Sequence, residues 1–383
     1  MSGRRSAGEG TIYRRSSDSR WVGSMRHADP ITGAPRRTVV YGDTRRVVVD
    51  KLKVISTRLD AGKPARDDKM TLNKFTSAWI TSSLAASSRK ATTKQLYAGL
   101  ARNHIIGNEI GTLPMNHIKP TNVERFILQL KAKGLSESTV RQVYTIGRAI
   151  GDAAVRDGLL GSNPFALVKR PSLTPREAEF LTPEQVSSLL GAASTSRYRP
   201  LFELLVNTGL RRGEALALKW SDVDLTNAMM RVRGTLSRVD GELQVTDTKT
   251  TKSRRSIPLA APAVATLRAV KTREASDKLR AGNLWSQTGH VFTTELGEPC
   301  DPRNALRALS TAAKTVGLHN VGLHTLRHSA ASVMLTNGVP LTVVSQALGH
   351  AGIAITADVY GHVSPDVSRS AFDVLASALA DPR

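Results

Sequence analysis

Apolar residues recur along this chain with two different periods. Near the front, three short β-forming stretches, Thr11–Arg15, Arg20–Arg26 and Arg36–Tyr41, are separated by turn chemistry. Ser17-Asp18-Ser19 fills the first gap and Asp29-Pro30-Ile31-Thr32-Gly33 the second. A helix is expected next, capped by Thr44, because Val47, Val48, Leu52, Ile55 and Leu59 fall near 3.6 spacing and would cover one face of the sheet. The polar run Ala61 to Lys69, broken by glycine and proline, reads as a linker. From there to about residue 168 the pattern is helical. Leu72, Phe75, Trp79 and Ile80 make one stripe, Val123, Phe126, Ile127 and Leu130 a second, and Val140, Val143, Tyr144 and Ile150 a third. A hinge, Lys169 to Pro175, leads to Leu181-Thr182-Pro183-Glu184, a hydroxyl cap with proline at the first helical position. The expected fold class is multidomain and mainly α with small β-sheets. Residues 1–62 form a three-stranded sheet plus helix, 70–168 a helical domain and 176–383 an α+β domain with a C-terminal tail.

Composition adds a partner. The 383 residues hold 54 Lys and Arg against 32 Asp and Glu, a formal charge of +22, and residues 1–66 alone carry 15 against 6. An excess of this size, weighted to the front, points to the phosphate backbone of a nucleic acid. One face of the N-terminal sheet should be left with arginines, so that Arg14, Arg15, Arg20, Arg36 or Arg37 reaches phosphates or base edges in a major groove. In the helical region Arg89, Lys90, Lys94, Arg102, Lys119, Lys131, Lys133, Arg141 and Arg148 lie between the apolar stripes, where they could line a surface facing a duplex. Cys300 is the only cysteine, which excludes an internal disulfide and a multi-thiolate metal site and suits a reducing cytoplasm. The first residues lack the apolar stretch of a secretory signal, and no run approaches the ~18 apolar residues of a membrane span, so a soluble intracellular protein is expected.

Candidate chemistry concentrates in the last third. Arg211 lies in Thr208-Gly209-Leu210-Arg211-Arg212-Gly213-Glu214, His324 and Arg327 in His324-Thr325-Leu326-Arg327-His328, and His350 precedes Tyr360 by ten residues. Attack on a DNA phosphodiester is slow because an anion must accept a nucleophile and then expel an alkoxide. Arginine keeps its proton and its planar fork can bond paired phosphate oxygens, so two arginines can bracket the non-bridging oxygens. His324 and Arg327, three apart, share a helix face, and a phenol nearby could attack phosphorus. No Gly-rich phosphate loop, clustered carboxylates or Cys/His metal spacing is present, so neither cofactor nor metal is expected.

These segments, with Ala347-Leu348-Gly349-His350 running to Val359-Tyr360-Gly361-His362, resemble the tyrosine recombinase (phage integrase) family over residues 180–365. The likeness extends more weakly forward, residues 70–168 looking like its helical core-site-binding domain and 10–59 like the arm-site-binding domain of heterobivalent integrases of temperate phages and integrative elements. The resemblance implies that Tyr360 is the nucleophile, that Arg211 and Arg327 hold the scissile phosphate, and that His324 and His350 add hydrogen bonds. It implies also a lysine on a β-hairpin that protonates the departing 5′-oxygen; in Thr248-Lys249-Thr250-Thr251-Lys252 this is Lys249, with Lys252 as competitor. Glu214 would orient the first arginine. Helix phase decides between Arg211 and Arg212, the family pattern favouring Arg211, and packing roles are expected for His328 and His362. The implied activity is site-specific recombination through a 3′-phosphotyrosyl link, in the bacterial host cytoplasm. The implied partners are double-stranded DNA at core and arm sites, a homotetramer on synapsed DNA, and a host DNA-bending protein and excision factor. An apolar stripe at Ala371, Phe372, Leu375, Ala378 and Leu379 would dock on a neighbouring protomer or on its own domain. A catalytically silent DNA-binding regulator and a type IB topoisomerase-like relaxing enzyme are the alternatives.

Overall fold

The computed structural model describes residues 11–28, 35–60, 70–174, 179–247, 254–350, 352–353 and 356–357. The chain divides into two compact units, residues 1–174 and 175–383.

The first unit opens with an antiparallel sheet of β1 (Thr11–Arg14), β2 (Trp21–Ala28) and β3 (Pro35–Gly42), in that order, followed by α1 (Arg45–Asp60). The Thr44 hydroxyl accepts the Val47 N–H at 3.3 Å and so caps α1. Val48, Leu52 and Ile55 are buried with Met25, and Leu59 packs beside them. Val47, expected in that stripe, is 40% exposed, because a stripe centred on 48, 52 and 55 turns position 47 to its rim. α1 approaches so closely that a Cβ on Gly23 would lie 2.5 Å from Val48 Cγ1 and 2.8 Å from Leu52 Cδ1.

The remainder of the unit is helical: α2 (Leu72–Trp79), α3 (Ala91–Leu100), α4 (Glu109–Thr112), α5 (Pro120–Ala132) and α6 (Glu137–Arg156). α2 and α3 each run on into one π-helical turn, Ile80–Leu84 and Ala101–Ile105, which keeps Ile80, Leu84, Ala101 and Ile105 in the core. All three anticipated stripes are buried or partly buried here. α6 is central, and its Tyr144 hydroxyl lies 2.8 Å from the carbonyl oxygens of both Phe165 and Val168.

The second unit contains α7 (Pro183–Ala192), α8 (Arg199–Thr208) and α9 (Arg212–Leu216), then β4 (Val223–Asp224), β5 (Met229–Val232), β6 (Gly234–Val239), β7 (Glu242–Asp247) and β8 (Arg255–Pro258). α10 (Ala261–Ala281), α11 (Pro302–Thr315), α12 (Leu323–Thr336) and α13 (Leu341–Leu348) follow. One sheet has the order β4-β5-β8, and β6 and β7 form a separate hairpin around Asp240-Gly241. α7 starts as its sequence predicts, with Thr182 as cap and Pro183 in the first turn, and Gln185 adds a capping box that the sequence reading did not include. The Leu181 N–H donates to Ser329 Oγ at 2.8 Å, tying the entry of the unit to α12. Among the described residues no helix is long and apolar enough to cross a membrane. The stripe from Ala371 to Leu379 lies outside the described residues.

Candidate active site

α8 ends at Gly209, whose φ of 62° is a left-handed conformation that glycine adopts without a Cβ penalty. The chain then turns, placing Arg211 in extended conformation at the cap of α9 and Glu214 three residues on. The Glu214 carboxylate accepts the Arg211 backbone N–H at 3.0 Å and its guanidinium at 2.9 Å. A second guanidinium, Arg255 on β8, donates to the same carboxylate at 3.0 and 3.4 Å. Burial by itself raises the Glu214 pKa, but the hydrogen bond and charge of Arg255, followed by Arg211, outweigh it and hold the carboxyl below its ordinary value. Arg212 is exposed, so it is Arg211 that turns toward Glu214.

Arg327 enters from α12 and is 3% exposed. Its guanidinium donates to Gly209 O at 2.6 Å and to Leu348 O at 2.9 Å. Leu348 is the last residue of α13, where a helix leaves carbonyls without intrahelical partners and with partial negative charge. Three successive carbonyls there each receive a different arginine. Arg255 Nε donates to Ala347 O at 3.0 Å, Arg327 to Leu348 O, and Arg211 Nη2 to Gly349 O at 3.0 Å. Gly349 ends α13 at φ 66°, and a Cβ there would stand 2.7 Å from Arg255 Nη1. Segments 138 residues apart in sequence are thereby bound to one helix end.

His350 follows directly. It is half-buried, and its Nδ1 lies 2.7 Å from the hydroxyl of Thr356, which is fully buried. Desolvation, then Arg327, Arg211, His328 and Arg255, push its pKa down to about 4. His324 and His328, on successive turns of α12, have ring centroids 6.1 Å apart. The His324 pKa is lowered by desolvation and then by Arg327, His328, Arg212 and Arg211, although the residue keeps substantial solvent exposure. All of these histidines are therefore neutral near pH 7 and each can donate one N–H. Two arginines and two histidines converge on one region, an arrangement suited to binding an anion that gains charge during reaction.

Tyr360, Lys249, its competitor Lys252, and His362 lie outside the described residues. The DNA-facing candidates are dispersed. On the sheet, Gly23 looks toward α1, so pairing puts Tyr13, Val22, Tyr41, Arg26 and Arg37 on the opposite face. Of the five arginines expected there, only Arg37 has that placement within a strand. Arg14 and Arg36 have the opposite parity, and Arg15 and Arg20 sit at the first turn, paired with Asp18 at 3.2 Å and Asp43 at 3.9 Å. In the helical region the Arg89 guanidinium lies over the Tyr97 ring, 5.5 Å from its centroid, while Lys94 donates to Ala85 O at 2.5 Å. Lys90 caps α3, and Arg141 is half-buried on α6. Sequence reasoning missed Arg26 and Arg255. The signal for Arg255 was its spacing of two from buried Ile257, which marks an inward-pointing charge on a strand. Cys300 is buried, and its thiol is pushed up to about 11 by that burial.

Residues 179–366 match the model of the phage integrase family. The chain is 28% identical to an integrase of Streptomyces ambofaciens, covering 94% of each protein. It is 29% identical to a XerC-like tyrosine recombinase of Caldanaerobacter subterraneus, over 88% of this chain and 91% of that one. Two solved structures share the fold. The Tn1549 transposon integrase in complex with transposon right end DNA has a TM-score of 0.66 at 20% identity, covering 80% of this chain and all of the other. A lambda integrase tetramer bound to a Holliday junction has a TM-score of 0.59 at 19% identity, over 95% and 99% of the two chains.

Proposed function

This chain belongs to the phage integrase family of tyrosine recombinases, and from that premise we propose how its residues cut and rejoin DNA. It is a site-specific recombinase, the integrase of a mobile element, and Tyr360 is its nucleophile. The Tyr360 oxygen attacks the scissile phosphorus, the P–O5′ bond breaks, and a 3′-phosphotyrosyl ester forms. Lys249 supplies a proton to the departing 5′-oxygen, with Lys252 the competitor for that step. Arg211 and Arg327 hold the non-bridging oxygens, with His324 and His350 as further donors. In the neutral tautomer in which the Thr356 hydroxyl donates to Nδ1, the His350 proton lies on Nε2, where it can bond the phosphate. A 5′-hydroxyl from a second duplex reverses the step on a new partner, so the ester conserves the bond energy and no cofactor is required.

Residues 1–62 bind arm-site DNA, 70–168 core-site DNA, and 176–383 carry out catalysis on double-stranded DNA in the cytoplasm. On the open face of the N-terminal sheet Arg26 pairs directly with Arg37. Like charges directly opposite destabilise a sheet, and a phosphate backbone would relieve them. Strand exchange would use a homotetramer on synapsed DNA, assisted by a DNA-bending protein and an excision factor. The observation that carries the proposal is the gathering of Arg211, Arg327 and His350 at the end of α13, immediately before the segment that leads to Tyr360. Incubation with a nicked suicide substrate should yield a covalent protein–DNA adduct from the wild type and none from Tyr360→Phe. An adduct from that variant would refute the assignment. Strand relaxation without exchange between two duplexes would identify a topoisomerase-like enzyme instead.

A further inference from the structure

We propose that Arg255 is a positioning residue for strand cleavage, holding Arg211 and the end of α13 in register and keeping the Arg211 charge available to the phosphate. This role rests on the recombinase reading above. Arg255 bonds both halves of the site, with Glu214 on one side and Ala347 O on the other. Glu214 fixes Arg211, and Ala347 lies three residues before His350.

Charge balance supplies the second argument. Glu214 is one carboxylate set between two guanidiniums, so the three groups together keep one positive charge. If Arg255 were apolar, the carboxylate would neutralise Arg211 alone and weaken its attraction for a phosphate oxygen. Packing alone does not demand the residue, since Arg255 lies on the inward parity of β8 with its side chain 9% exposed, a position that an apolar side chain ordinarily fills. Gly349 leaves room for the Arg255 guanidinium, since a Cβ there would stand 2.7 Å from Nη1.

The experiment compares Arg255→Lys and Arg255→Met with wild type in the full chain, measuring single-turnover cleavage of a suicide substrate at saturating DNA, the Kd for core-site DNA, and thermal melting. A hydrogen bond to a charged group contributes about 1.5–3 kcal/mol, roughly 10- to 150-fold in rate. Arg255→Met should therefore cleave on the order of a hundredfold more slowly and Arg255→Lys about tenfold. For both, Kd should stay within about threefold, because the arginines that would meet the phosphate remain in place. Added guanidinium ion should recover part of the Arg255→Met rate, which a general packing defect would not allow. Cleavage by Arg255→Lys within about twofold of wild type would overturn the proposal, as would a loss of rate matched by an equal loss of affinity. Absence of a wild-type adduct would overturn both readings, whereas a wild-type adduct with unaltered variant rates would overturn the role of Arg255 alone.

Discussion

Replacing Glu214 by Gln tests whether the carboxylate shared by two arginines organises the catalytic unit. Glu214 is 5% exposed and accepts four contacts, two from Arg211 at 2.9 and 3.0 Å and two from Arg255 at 3.0 and 3.4 Å. Gln keeps one acceptor oxygen but turns an NH2 group toward donors, leaving guanidinium groups without their counter-charge. Breaking a buried ion pair from one side costs about 3–5 kcal/mol. In a unit of this size each kcal/mol lowers Tm by about 2–4 °C, so a fall of roughly 6–20 °C is expected. The pH dependence has a definite sign. The Glu214 pKa is lowered in the fold, so its contribution is present above the ordinary carboxylate pKa and is lost as pH falls through the folded value. Melting of wild type and Glu214→Gln by calorimetry from pH 7.5 downward should therefore show a large gap that closes in acid. A shift below about 2 °C at neutral pH, or a gap independent of pH, would refute the reasoning.

Further outcomes follow from other contacts. In the free protein the His350 ring should titrate near 4 by NMR, with the stability linked to its neutral form complete above about 6.5 and declining as pH falls toward the folded value; a midpoint of 6 to 7 would contradict the desolvated, arginine-flanked setting. Gly23→Leu should disrupt the packing of α1 on the sheet and abolish arm-site binding while core-site cleavage persists, since Val48 and Leu52 fill the space a side chain would need; retained arm-site affinity in a filter-binding assay would count against this. Arg26→Ala combined with Arg37→Ala should lower the salt dependence of arm-site binding by about two counterions, seen as a shallower slope of log K against log salt. An unchanged slope would place the DNA on another surface of the sheet.

Much of the architecture was legible because burial imposes periodicity on a chain. Three strands, the Thr44 cap, the stripes of α2, α5 and α6 and the hydroxyl cap and leading proline of α7 all stand close to where spacing and turn chemistry put them. Local rules failed where a choice depended on a neighbour. The sheet arginines illustrate this, since only strand pairing and the approach of α1 to Gly23 decide which alternate residues stay open, and that removed Arg14 and Arg36 while adding Arg26.

The motifs around Arg211, His324, Arg327 and His350 could be picked out in order along the chain, because arginine and histidine at those spacings suit a phosphodiester. What no linear pattern could reveal is that the α13 terminus collects Arg211, Arg255 and Arg327 on three consecutive carbonyls, or that Glu214 is shared. Those bonds join residues 21 to 138 positions apart, and their geometry exists only once the core has closed. Sequence by itself determined the residue types and the local elements that carry them, since these follow from short-range sterics and the burial of apolar side chains. Tertiary structure decided which charges neutralise one another and which remain available to a ligand, because electrostatic interaction depends on distance through space and on the water that packing excludes.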